Sequence, residues 1–292
     1  MKSTAQKLKD SQKSGKKRNL PRRHLTTFLI NMNNSPILFI DSGIGGLPYC
    51  MDFLQKNPQE TAYYLADNKN YPYGPRTKEE LISILTALVE KLIKLIQPKI
   101  IVLACNTATI AALSDLRKLF PDMLFVGTVP AIKPAAIACN NGKVGVLGTE
   151  RTIEEINNLD LAEKTCEIFG IAAPELVDFI EMHYDDSEKT DIVKKYIKLF
   201  REASVDTIVL GCTHFLFLQE EFQQEASPDL SVFDSLAGIS KRIEFLLDEN
   251  NSALRAEKPG QNKLLLTSAK NVNPFWEKRA QKLQFNLEIL EL

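Results

Sequence analysis

No stretch of this 292-residue chain approaches 18 uncharged apolar residues. The longest candidate, residues 81–96, is broken by Glu90, Lys91 and Lys94 and reads as one face of an amphipathic helix. No membrane partner is expected. Cysteine is sparse as well: Cys50, Cys105, Cys139, Cys166 and Cys212 stand at irregular spacing with no CxxC pair. That pattern gives neither a disulfide framework nor a zinc finger. Phosphate-loop motifs are also missing. Ser42-Gly43-Ile44-Gly45-Gly46 holds the glycines, but GxGxxG would need a glycine where Pro48 stands, and no GK[ST] follows. The segment reads instead as a tight strand-to-helix turn with close backbone approach. No PLP-lysine motif is evident.

Net charge is almost absent, at −1, yet it is unevenly spread. Residues 1–23 carry nine Lys and Arg against one acid, Asp10, which leaves 27 basic and 36 acidic residues in the remainder. An acidic body argues against nucleic acid as a partner. The basic arm, residues 1–35, reads as a solvated, disordered tail. It lacks the apolar core and cleavage site of a secretory signal, so the expected compartment is the cytoplasm, where the thiols stay reduced.

From Pro36 onward, apolar runs of strand length alternate with helix-length segments. The runs are Ile37–Ile40, Ala62–Ala66, Ile100–Ala104 and Leu124–Gly127 in the first half. Val144–Leu147, Glu167–Ala172, Ile208–Gly211 and Ser231–Phe233 follow in the second. Helical stretches include Lys78–Ile96 and Thr109–Leu119. Such alternation predicts parallel sheets covered by helices on both faces.

The chain also repeats itself. IVLAC ends at Cys105 and IVLGC ends at Cys212, 107 positions later; Asp41-Ser42 precedes Gly148-Thr149 by the same offset, and Leu124–Thr128 maps onto Ser231–Ser235. This predicts an α/β fold of two pseudo-symmetric, doubly wound lobes, mainly parallel, with the active site in the cleft between them. Residues 36–130 plus about 233–292 would form the first lobe, and 131–232 the second.

Ligands of open α/β sheets sit beyond the carboxyl ends of the strands. Four such ends carry polar or reactive groups: Asp41-Ser42, Cys105-Asn106-Thr107, Gly148-Thr149 and Cys212-Thr213-His214. Helix N-terminal amides there can stabilise a thiolate and, with Asn106, Thr107 and Thr213, receive a carboxylate. Two opposed thiols suit a racemase, which takes a proton from one face of a carbon and returns one to the other. A buried cysteine is more often packing, and that reading stands for Cys50, Cys139 and Cys166. Cys212 and His214 could be two metal ligands, but no third or fourth is visible nearby.

The segments FIDSGIGGL, ADNKNYPYGPRTKEEL, IVLACNTAT, VGVLGTERT and IVLGCTHF resemble, in order and spacing, those of bacterial glutamate racemases, within the aspartate/glutamate racemase superfamily. The resemblance runs from about Pro36 to the C-terminus. It implies that Cys105 and Cys212 are the acid–base thiols, with Asp41 assisting the first and His214 and Glu181 the second. It implies that Asp41, Ser42, Tyr73, Gly74, Asn106, Thr107, Thr213 and His214 hold the amino acid, L- or D-glutamate. It further implies no cofactor and no metal, a homodimer, and supply of D-glutamate for peptidoglycan. CTHFL replaces the commoner CTHYP, and Pro48 a commoner Thr, without touching these positions. Two other readings remain: the same chemistry on aspartate or another small acid, and a two-lobed binding protein without catalysis.

Overall fold

The structure is a computed structural model that describes residues 34–158, 166–183, 189–249, 255–256, 258–270, 272 and 275–292. The basic arm therefore lies outside the described residues, apart from its last two.

The first half runs β1 (Ile37–Asp41), α1 (Leu47–Lys56), β2 (Ala62–Ala66), α2 (Lys78–Ile96), β3 (Ile100–Leu103), α3 (Asn106–Leu119) and β4 (Phe125–Gly127). After α4 (Ile132–Ala138) the second half follows with β5 (Lys143–Gly148), α5 (Glu150–Asn158), β6 (Glu167–Ala172), α6 (Pro174–His183), α7 (Lys189–Glu202) and β7 (Thr207–Leu210). A 3-10 helix (Thr213–Leu218), α8 (Gln219–Ala226) and β8 (Ser231–Phe233) complete it. Then come α9 (Leu236–Glu249), β9 (Lys263–Leu266), α10 (Phe275–Leu283) and β10 (Asn286–Ile289).

Both sheets are wholly parallel among the described strands. One has the order β10-β9-β2-β1-β3-β4, the other β6-β5-β7-β8. The order β2-β1-β3-β4 is thus repeated as β6-β5-β7-β8. Ile37 pairs with Ile100 and Val144 with Thr207, each partner shifted by the same 107 positions. Ile101–Phe125 and Ile208–Val232 repeat likewise. Ile37–Ala62 and Val144–Ile168 differ by one residue, so the connection from β5 to β6 is one residue shorter than its counterpart. The duplication read from the sequence is a duplication of strand register. β9, with its buried Leu264–Leu266, and β10, which no apolar run announces, extend the first sheet beyond the repeat.

Residues 37–40 of β1 and the whole of β3 are apolar because both faces are covered. Ile37 and Phe39 point into one buried cluster, and Leu38 and Ile40 into another. Ile100 and Val102 alternate with Ile101 and Leu103 in the same way. The first of these clusters continues through Leu147, Leu176, Phe200, Leu210 and Phe215, so one core runs from sheet to sheet. Pro48 occupies the first turn of α1, where a missing N–H costs nothing. Thr77 and Glu80 form a capping box that starts α2 and fixes the end of the preceding loop, with bonds of 3.2 and 2.8 Å. Among the described residues no helix is long and apolar enough to cross a membrane.

Candidate active site

The carboxyl ends of β1, β3 and β7, with the loop after β2, face a single cavity of about 200 Å³ between the sheets. Its wall includes Asp41, Ser42, Tyr73, Gly74, Cys105, Asn106, Thr107, Cys212, Thr213 and His214. Every candidate residue read from the sequence is on that wall except Glu181, which stands behind His214.

Cys105 and Cys212 each occupy the residue immediately before a helix, in extended conformation, with φ of −143° and −126°. They are 8% and 6% exposed, and both are free thiols. The two segments are tied directly together: Asn106 Nδ2 donates to the Gly211 carbonyl at 2.6 Å, so the residue after one thiol holds the residue before the other. That bond also fixes the amide's orientation, leaving Asn106 Oδ1 buried and without a partner among the described residues. A second cross-link joins the Thr107 and Thr149 hydroxyls at 3.5 Å.

The surroundings of the two thiols differ. Burial and then the negative charge of Asp41 push Cys105 well above the usual thiol value, while the N–H groups of Ala108 and Thr107 pull it back. Cys212 Sγ lies 3.8 Å from His214 Nδ1, and His214 Nε2 lies 2.8 Å from Glu181 Oε1. Glu181 Oε1 also accepts the Ile44 N–H at 2.8 Å, so the carboxylate anchors both the histidine and the turn after β1. Burial alone would push His214 down. Its hydrogen bonds to Cys212 and Glu181 outweigh that and hold it well above the ordinary histidine value.

Asp41 is fully buried, and burial lifts it above the usual carboxylate range against the pull of His214 and of the Gly43 amide. Its Oδ1 accepts the Ser42 hydroxyl and Gly43 N–H at 3.3 Å, and its Oδ2 the Thr213 hydroxyl at 3.2 Å.

The SGIGG glycines serve close approach, as expected. A Cβ on Gly45 would sit 2.4 Å from His214 Nδ1, and one on Gly43 would overlap the Glu181 carboxylate. The segment after Cys212 departs from its counterpart. Where α3 runs for 14 residues, Thr213–Leu218 form only a 3-10 helix.

The cavity wall also includes Thr149, from one of the four strand ends read in the sequence, and Tyr71, Pro72, Glu150, Thr152, Val177 and Asp178, which sequence reasoning gave no role. Thr149 carried a signal, since it stands 107 positions after Ser42; Asp178 carried none. Among the described residues, no group of three or more His, Cys, Asp or Glu side chains is placed to hold a metal ion.

Residues 52–239 match the model of the Asp/Glu/Hydantoin racemase family. A glutamate racemase of Clostridium perfringens (strain SM101) is 35% identical over 234 residues, covering 79% of this chain and 90% of its own length. One of Roseiflexus is 38% identical over 218 residues, covering 73% and 80%. The Escherichia coli glutamate racemase, solved in complex with L-glutamate and the activator UDP-MurNAc-Ala, superposes with a TM-score of 0.77 at 32% identity. The match covers 87% of this chain and 98% of that one. A Bacillus anthracis glutamate racemase gives 0.76 at 27% identity, over 89% and 98%.

Proposed function

The chain belongs to the Asp/Glu/Hydantoin racemase family, among its glutamate racemases, and from that premise we propose a cofactor-independent mechanism that uses Cys105 and Cys212 as opposed acid–base groups. The observation that carries it is the pair of thiols at register-equivalent strand ends of one cavity.

Glutamate binds with its α-carboxylate on the backbone amides of Ser42, Thr107 and Thr213 and the Thr107 hydroxyl, while the Ser42 and Thr213 hydroxyls donate to Asp41. Its ammonium meets the unpartnered Asn106 Oδ1, a buried acceptor in need of a donor. One sulfur, as thiolate, takes the Cα proton; the electron pair of that C–H bond passes into a carbanion conjugated with the carboxylate. The other sulfur gives its proton to the opposite face and keeps the S–H electron pair. The centre is inverted, and the two sulfurs have exchanged protonation states.

Asp41 assists Cys105, and His214, held by Glu181, assists Cys212. The chemistry needs free thiols, which suits the cytoplasm. The product D-glutamate supplies peptidoglycan synthesis, and the protein acts as a homodimer. Light scattering tests the last point directly.

The central test is polarimetric. Without PLP, and with EDTA and hydroxylamine present, rotation of L-glutamate should decay to zero. In D₂O the product should carry deuterium at Cα. Decay with L-aspartate in place of glutamate, or activity restored only by metal or PLP, would overturn the proposal.

A further inference from the structure

Tyr73 and Gly74 reach the cavity from a loop whose anchor lies outside it. Asp67 follows β2, is fully buried, and does not line the cavity. Its Oδ2 accepts the Tyr73 hydroxyl at 2.7 Å, and its two oxygens accept the Asn70 side-chain amide at 3.1 and 2.9 Å. The remaining donor comes from far along the chain: the Thr267 hydroxyl reaches Asp67 Oδ1 at 2.7 Å.

Thr267 is 1% exposed and follows β9, outside the stretch matched by the family model. The junction around it is stitched at several points. Asn68 Oδ1 accepts the backbone N–H groups of Thr267 and Ser268 at 3.0 and 3.1 Å, and its Nδ2 donates to the Ser268 carbonyl at 2.9 Å. Lys69 N–H donates to Thr267 Oγ1 at 3.1 Å.

We propose that Thr267 is a positioning residue for racemisation, acting through Asp67 on Tyr73 and so on the Tyr73–Gly74 wall of the cavity. The inference rests on the reading that this wall holds glutamate. Tyr73 and Thr267 both spend their hydroxyl protons on Asp67. Tyr73 therefore offers the cavity its ring and backbone, and its hydroxyl sets where they stand. Remove the Thr267 hydroxyl, and a buried carboxylate oxygen loses a donor that water cannot readily replace. Asp67 Oδ1 then keeps only the longer 3.1 Å bond from Asn70, and the carboxylate that holds Tyr73 is less firmly set on that side.

Thr267→Val keeps the side-chain shape and deletes the hydroxyl, while Thr267→Ser restores it. The valine variant should raise KM for glutamate about tenfold, the factor that one lost hydrogen bond to a charged group corresponds to. Its kcat should change less than about twofold, and serine should return KM to within about twofold of wild type. A double-mutant cycle with Tyr73→Phe should be non-additive, because both changes act on one carboxylate. Should Thr267→Val fail to fold, Thr267→Ala, with Thr267→Ser as its rescue, and Tyr73→Phe report on the link from each end, and an unchanged KM in Thr267→Ala overturns it in the same way. Wild-type protein that leaves glutamate unchanged overturns the functional reading, and this inference with it. Wild-type turnover with an unchanged KM in Thr267→Val, or strict additivity in the cycle, overturns this inference alone.

Discussion

Gly45→Ala adds one methyl group beside His214 and tests the histidine's part in the Cys212 half of the reaction. The new Cβ would lie 2.4 Å from His214 Nδ1, 2.5 Å from its Cε1 and 2.6 Å from Thr213 Oγ1. Non-bonded carbons rest about 3.5–4.0 Å apart, so the imidazole must retreat by about 1 Å. It has no slack for that. Nδ1 is set 3.8 Å from Cys212 Sγ and Nε2 2.8 Å from Glu181, whose carboxylate is itself pinned by the Ile44 N–H. A misplacement of about 1 Å can cost about a hundredfold in rate, equivalent to about 2.7 kcal/mol. Racemisation followed by circular dichroism should fall by that factor. A glutamate bearing a β-chloro group separates the halves, since deprotonation on one face alone releases chloride. Elimination from the enantiomer served by Cys212 should fall with racemisation. Elimination served by Cys105 should stay within a few-fold, reflecting only the loosened 3.2 Å bond from Thr213 to Asp41. Racemisation within threefold of wild type, or equal loss of both eliminations in a protein that melts normally, would refute the reasoning.

Cys105→Ser and Cys212→Ser should each abolish racemisation, because a hydroxyl is too weak a base at neutral pH, yet each should eliminate chloride from one enantiomer of the analogue. Elimination from the same enantiomer by both would show that the thiols do not serve opposite faces. Burial lifts the folded-state pKa of Asp41 above its unfolded value of about 3.8, so stability falls as pH rises through that interval and the loss is complete above it. Asp41→Asn should therefore melt at a higher temperature than wild type at pH 7 while turning over glutamate at least tenfold more slowly; a lower melting temperature there contradicts the sign. His214 is raised in the folded state, so its contribution to stability is complete below about 6.5 and is lost as pH rises through the folded value. Glu181→Gln keeps an acceptor for His214 and removes the charge, and should move the alkaline limb of the kcat/KM profile to lower pH; an unmoved limb would count against the His214–Glu181 link.

What could be read from the sequence followed from local pattern. β1, β3, β5 and β7 are apolar on both faces and stand out as runs, and the shared offset identified Cys105 and Cys212 as a pair. β9 and β10 are four-residue strands, and half-exposed β10 has no apolar run to announce it. The start of α3 was legible only to within three residues, since Asn106-Thr107-Ala108 carry polar and small side chains that do not set a helical stripe. After Cys212 the expected helix is a 3-10 turn. Thr213, His214, Phe215, Leu216 and Leu218 are all buried there, which leaves no solvent face for an amphipathic α-helix. The Asp67 network was beyond reach for a simpler reason: its partner Thr267 lies 200 positions away, and no periodicity links them.

The core that runs from Ile37 and Phe39 through Leu147 and Leu210 to Phe215 belongs to neither half alone. Two halves alike in strand order have thereby given up their independence. A chain divided near residue 130 would leave each fragment with the buried surface of the other uncovered, a patch far larger than soluble monomers carry. The same continuity limits how the cleft can work. A wide swing of one half against the other would tear apolar packing along its whole length. The repeated sheet is, in this sense, a bearing that no longer turns, and its stiffness keeps Cys105 and Cys212 on the wall of one cavity.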